Sequence, residues 1–169
     1  VKPRPQALVA FWGYGDLIGP WYSTPSRHPR HNRIKPTREE AWKQVSGPAV
    51  ADSRDRKGNG GLFYVHCRQT GSWPKNVSGW DPRTEAEKFF PFMPVKNVSS
   101  DWPPTLLIHG NDDTDVPHQQ SLLMAEQFSR HDVDHQLISI PNGEHGLAGA
   151  DPERIEQAYQ QVEIFLDKY

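Results

Sequence analysis

Cysteine is almost missing from this 169-residue chain: Cys67 stands alone. It cannot close an intrachain disulfide, and it excludes a cysteine-built zinc site. Long apolar runs are missing too. The runs present, such as 7–12 and Leu106-Leu107-Ile108, fall far short of the roughly 20 residues that span a bilayer. The opening stretch, VKPRPQALVAFWGYG, has neither the apolar core nor the small-residue cleavage site of a secretory signal, and no initiator Met. Upstream removal, a cut gene or a start inside a larger protein would each account for that. One unpaired cysteine and no visible leader make the cytoplasm the expected location. Charge of one sign is also lacking. A net charge of -2 with 24% charged residues gives no strongly basic face, so neither nucleic acid nor a membrane is an expected partner. Asn-Val-Ser at Asn76 and at Asn97 matches the glycosylation acceptor pattern, which counts only in a secreted chain.

What is present is enough for one domain with a real core. The two parts of the chain differ in texture. Residues 1–102 are rich in Pro, Gly, Trp and basic residues and have weak periodicity. Within them, the apolar run at 7–12 closed by Gly13 and Gly15 predicts a buried strand ending in a tight turn. Residues 16–36 read as loop. Thr37 followed by Glu40 predicts a capped helix that runs to about Ser46 and stops at Gly47-Pro48. Residues 51–61 read as loop, 62–69 as a helix closed by Gly71, and 84–89 as a short helix.

From Pro103 onward the pattern reads strand, helix, strand, helix. Thr105-Leu106-Leu107-Ile108 is the mark of a parallel strand covered on both faces. Helix is expected over 118–131, then a strand over 136–140 stopped by Pro141 and Gly143. Asp151-Pro152-Glu153 opens a last helix with a cap, a proline in the first turn and an acid matched to the helix dipole. Its apolar positions Ile155, Ala158, Tyr159, Val162, Phe165 and Leu166 keep helical spacing. Alternating strands and helices predict an α/β fold with a doubly wound, mostly parallel sheet.

Two strand ends carry chemistry. The first is LIHGNDDTDVP, where a strand ends at His109-Gly110 and an acidic loop follows. The second is PNGEHG, where a glycine-flanked loop presents His145. Sites in open parallel sheets form at the carboxyl ends of strands. A carboxylate and an imidazole on neighbouring loops can meet there. The carboxylate fixes one ring nitrogen and leaves the other free to take a proton from a hydroxyl. Asp112, Asp113 and Asp115 all compete for the acid role, and each would also serve as an acidic turn ahead of the next helix.

The stretch from His109 to Ser121, HG-x-x-D-x-x-VP-x-x-x-S, together with the later P-x-x-x-HG, resembles the C-terminal segment of the α/β-hydrolase superfamily. It looks most like prolyl oligopeptidase-type serine hydrolases and related esterases. The resemblance implies Asp113 as triad acid and His145 as triad base, in the chain order acid then histidine. It implies that 7–12 is the sheet strand after the nucleophile helix, 14–102 an irregular helical cap-like insertion, and 103–169 the segment bearing acid and histidine. The whole, 1–169, would be a single truncated domain, the C-terminal portion of the fold. The implied activity is acyl hydrolysis of small esters, or of short peptides, with no cofactor and no metal.

The family nucleophile sits on a G-x-S-x-G elbow. No serine here has it: Gly71-Ser72-Trp73 and Val77-Ser78-Gly79 each hold only part. The nucleophile is therefore unidentified: it is expected upstream of Val1, on another chain, or at an unrecognised serine within the cap, and the oxyanion hole is expected to be missing from this chain too. A half sheet would expose an inner strand edge, to be covered by a homo-oligomer or by a separate N-terminal half. The rival reading is a non-catalytic remnant that self-associates or binds a ligand. Lesser candidates are Cys67 as a nucleophile, His28 and His31 as an anion or metal site, and a metal set of His109, Asp113 and His145. Trp12, Tyr14, Trp21, Tyr22, Trp73 and Trp80 stand either as pocket walls or as ordinary packing.

Overall fold

Three short strands lie side by side in a computed structural model that describes residues 4–48, 50–56 and 58–169. They are β1 (Leu8–Phe11), β2 (Thr105–Gly110) and β3 (His135–Ile140), all parallel, in the order β1-β2-β3. Leu8 faces Thr105 in the register of the first pair, and Thr105 faces His135 in the second. The helices are α1 (Pro20–Ser23), α2 (Arg38–Lys43), α3 (Gly61–Thr70), α4 (Trp73–Ser78), α5 (Pro94–Asn97), α6 (Gln119–Arg130) and α7 (Pro152–Leu166).

The chain divides into two compact units. One joins the residues up to Asp16 to Phe90–Tyr169, and the other is Leu17–Phe89. The first holds the sheet. Every residue of β2 is buried, as its unbroken apolar pattern requires. Alternate side chains serve opposite faces. Leu106 and Ile108 pack with Ala158, Phe165 and Leu147, under α7. Leu107 packs with Met124, Phe128 and Val133, under α6. Helices on both faces of a parallel sheet make this an α/β, doubly wound arrangement. β1 is only half-buried along its length. It pairs with β2 on one side, and its other edge carries no strand among the described residues.

Local sequence accounts for the ends of α7. The Asp151 side chain accepts from the Glu153 N–H at 2.9 Å, and Pro152 needs no donor in the first turn. In the second unit, α2 has the expected capping box: Thr37 accepts from the Glu40 N–H, and the Glu40 carboxylate accepts from the Thr37 N–H at 2.8 Å. Ala41, Phe63 and Cys67 form this unit's core with Trp42, Val45 and Trp73 around them. α3 ends on Gly71 at φ 64, where a Cβ would lie 2.4 Å from the Thr24 carbonyl carbon, so no larger residue fits.

The structure differs from the sequence expectations in three places. Residues 90–102, expected within the insertion, pack on the sheet unit, where Val95, Val98 and Trp102 join the Leu107 cluster. The helix expected over 84–89 is a single 3-10 turn, Ala86–Lys88, in a segment stopped by Pro82 and Pro91. Regions without an expected helix contain α1, α4 and α5, each with a proline in its first turn. Lys57, inside the expected 51–61 loop, lies outside the described residues, as do Ala49 and the first three residues. No helix among the described residues is long and apolar enough to cross a membrane.

The cap on α7 gives a direct check. Asp151→Ala should lower the unfolding free energy by about 1 kcal/mol, read from urea denaturation followed by circular dichroism.

Candidate active site

β2 and β3 end level with each other, Gly110 opposite Ile140. The loops that leave them are bonded together at once. The Asn111 N–H donates to Ile140 O at 2.9 Å and the Asp112 N–H to Gly143 O at 3.0 Å. A Cβ on Gly110 would sit 2.1 Å from Gly143 O. Two glycines are thus what let the acid loop and the histidine loop touch backbone to backbone.

Asp113 follows three residues later, its side chain only 1% exposed. Oδ1 accepts from the N–H groups of Asp115 at 2.9 Å and Val116 at 2.8 Å. Oδ2 accepts from Nδ1 of His145 at 3.0 Å. An ionised carboxylate only accepts, so the proton sits on Nδ1 and Nε2 presents a lone pair. The imidazole is 36% exposed, and Nε2 has no hydrogen bond among the described residues. Burial pushes the Asp113 carboxyl up. Hydrogen bonds from His109, Val116, His145 and Asp115 outweigh it and hold the group below its ordinary value of 3.8.

The histidine loop takes unusual backbone angles. Asn142 stands at φ 56 and Leu147 at φ 62, both in the left-handed region, with Gly146 at φ 72 between them. Leu147 is buried in the core under α7 and anchors this turn. Trp12, at the end of β1, has φ 41, and its ring meets the His145 ring edge-on at 5.7 Å. Strain of this kind collects where a side chain must be aimed.

Of the three competing acids, Asp113 is the one brought to His145. Asp112 is exposed, and Asp115 is half-buried and lends its N–H to Asp113. His109 lies fully buried, with Nδ1 2.7 Å from Ser121 Oγ and Nε2 2.8 Å from Val116 O. Both ring nitrogens are engaged, so it does not face an open position as a metal ligand would. Among the described residues no three acidic, His or Cys side chains are grouped to hold a metal ion.

Most of the remaining candidates lie in the Leu17–Phe89 unit. Cys67 is buried, and burial pushes its thiol up against hydrogen bonds from Asn76 and Ser72. It lacks the lowered pKa of a nucleophile. His31 is buried with Nδ1 2.8 Å from Ser26 Oγ, and His28 Nδ1 accepts from the Arg30 N–H, so both organise their loop. Trp21 stacks under the buried Arg68 guanidinium at 4.6 Å, which also reaches Tyr22. Trp73 packs on Tyr64, and Trp80 on Phe89. Tyr14, in the sheet unit, is 37% exposed. Neither partial serine motif forms a strand-to-helix elbow. Ser72 precedes α4, and Ser78 ends it with its hydroxyl donating to Pro74 O. Both glycosylation-type asparagines use their amide nitrogens internally, Asn76 on Ser72 Oγ and Cys67 Sγ, Asn97 on two backbone carbonyls.

Glu144 and Thr114 escaped sequence reasoning. The Glu144 carboxylate accepts from the His145 N–H at 2.8 Å, the Thr114 N–H at 3.2 Å and the Thr114 hydroxyl. It ties the acid loop to the histidine loop a second time. A tie between residues 30 apart leaves no local pattern.

Comparison with known proteins bears on this geometry. The sequence model of the prolyl oligopeptidase family matches residues 62–169. No curated protein matches the chain. Among solved structures, a protein from Staphylococcus aureus subsp. aureus Mu50 is 21% identical, aligns over 94% of this chain and 54% of its own, and has a TM-score of 0.65. A truncated carbohydrate esterase from gut microbiota is 30% identical over 54% of this chain and 33% of its own, with a TM-score of 0.46. An acetyl ester-xyloside bifunctional hydrolase from Caldicellulosiruptor lactoaceticus is 28% identical over 62% and 36%, with a TM-score of 0.49. The chain spans between about a third and about a half of the length of these structures. The Staphylococcus aureus protein shares the fold over nearly the whole chain.

The electrostatics of Asp113 set a pH signature. Its folded value is depressed, so its contribution to stability is complete above about pH 4 and is lost as pH falls through the folded value. Asp113→Asn should therefore be less stable than the parent at pH 6, with the gap closing toward pH 2, in denaturant unfolding at both pH values.

Proposed function

The chain belongs to the prolyl oligopeptidase family, and on that footing we propose that it supplies the acid–base half of a serine-hydrolase-type acyl hydrolase. The reaction is acyl transfer to water from a carboxylic ester or an amide. The observation that carries this reading is the 3.0 Å bond from His145 Nδ1 to Asp113 Oδ2, with Nε2 left open. A base held in one tautomer takes the proton of an attacking hydroxyl at Nε2 and later returns it to the leaving group. Asp113 does not take the proton. It orients the ring and stabilises the imidazolium that forms, and its lowered pKa keeps it ionised throughout. Trp12, edge-on to His145, walls one side of the reacting centre.

The nucleophile is a serine on polypeptide that pairs with the open edge of β1. Two features support this. That edge lacks a strand partner among the described residues. Of the serines in the sheet unit, Ser121, Ser129 and Ser139 bond elsewhere, and none of them or of Ser99 and Ser100 bonds His145. The polypeptide that supplies the serine is a separate N-terminal half; a second copy of the chain would cover the edge but carries no G-x-S-x-G elbow.

Sedimentation velocity at micromolar concentration should show the chain as a dimer or in complex with a second polypeptide; a compact, well-behaved monomer contradicts the covered edge. The chemical test is turnover of 4-nitrophenyl esters by that assembly. His145→Ala should lower kcat by about 10³-fold or more, with the assembly and its circular dichroism unchanged. Equal turnover removes His145 from the mechanism. No turnover in any assembly favours the non-catalytic, self-associating or ligand-binding module instead.

A further inference from the structure

Behind Asp113, away from His145, lies a second polar array that the acid–base reading does not use. His109 is 0% exposed and Ser121 1% exposed. A histidine and a serine sealed inside an apolar sheet carry a desolvation cost that leucine and alanine would avoid. The geometry satisfies them in one arrangement. Val116 O only accepts, so the His109 Nε2 carries the proton that reaches it at 2.8 Å. The Ser121 hydroxyl, 2.7 Å from Nδ1, then donates to that nitrogen. The same Nε2 lies 3.4 Å from Asp113 Oδ2, the oxygen that holds His145. Val116 is gripped twice: its N–H donates to Asp113 Oδ1, and its carbonyl accepts from His109.

We propose that His109, oriented by Ser121 from α6, is a positioning residue that fixes the Asp113 carboxylate and its turn for the bond to His145. The inference rests on the acid–base reading above and deepens it. β2 supplies the ring and α6 the hydroxyl, while the acid turn contributes both the carbonyl and the carboxylate. The angle of Asp113 thus depends on how α6 packs on the sheet. Asp113 Oδ2 has two imidazole neighbours: His145 at 3.0 Å on the solvent side and His109 at 3.4 Å on the buried side. The His109 ring beside Asp113 and the hydrogen bond from His145 both act to lower the Asp113 carboxyl, against the burial that raises it. The other ring against His109 is His118, edge-on at 5.6 Å, whose Nε2 is held 2.8 Å from Ser139 Oγ on β3. A histidine serving only as core filler would need partners for its two ring nitrogens, but not a place 3.4 Å from the carboxylate oxygen that holds His145.

The test reads the His145 Nδ1 proton by nuclear magnetic resonance of the full 169-residue chain, a signal that does not depend on turnover. Bonded to a buried carboxylate, this proton should resonate well downfield of the amides. His109→Leu removes the donor while keeping the volume apolar, and the resonance should be lost through rapid exchange. His109→Gln returns an N–H at the place of Nε2, and the resonance should reappear. Ser121→Ala, the mildest change, should broaden or abolish it while thermal unfolding stays cooperative. A sharp, unmoved resonance in folded His109→Leu overturns the proposal and leaves the His145–Asp113 pair intact. If that variant does not fold, an unmoved resonance in Ser121→Ala overturns it in the same way. Absence of the resonance in the unsubstituted chain would overturn the pair itself, and this inference with it.

Discussion

The site depends on one carboxylate and the turn that it holds. Asp113 accepts two backbone N–H groups with one oxygen and meets two imidazoles with the other. A buried charge with fewer partners would be costly enough to take up a proton. With these partners it stays ionised, shapes the turn from Asp113 to Val116, and aims His145. The group bonded to His145 is therefore also the turn-former, both contacts belonging to one side chain. Its position is inherited from the backbone contact of Gly110 with Gly143, which brings the ends of β2 and β3 closer than side chains would allow.

Much of this was legible in the sequence because the signals were local. The apolar run at Thr105 to Ile108 could only be a strand covered on both faces, and it is buried along its whole length. The caps at Thr37 and Asp151 sit where their hydrogen-bonding chemistry put them. The acidic loop and His145 stood out because each follows a strand end beside a glycine, while only the family resemblance pointed to Asp113 among the three acids. The short helices α1, α4 and α5 were hidden because proline reads as a loop signal, whereas in a first turn its missing N–H costs nothing. Glu144, Thr114 and the Ser121–His109 contact were hidden for a different reason. They join residues that only the folded chain brings together.

Asp113 and His145 both lie in the sheet unit. The Leu17–Phe89 unit spends its aromatic surplus internally, with Trp21 and Tyr22 around Arg68 and Trp42 and Trp73 around Phe63. Trp12 is the exception. It lies in the sheet unit directly after β1, its backbone is in the left-handed region, and its ring lies against His145.

The most direct measurement is reaction of the folded 169-residue chain alone with a fluorophosphonate probe, read by intact and peptide mass. If the chain holds the acid and the base while the nucleophile comes from polypeptide added at β1, no serine is labelled. A single serine labelled in the parent chain and left unlabelled in His145→Ala would contradict this, and would make the chain a complete enzyme with its nucleophile elsewhere.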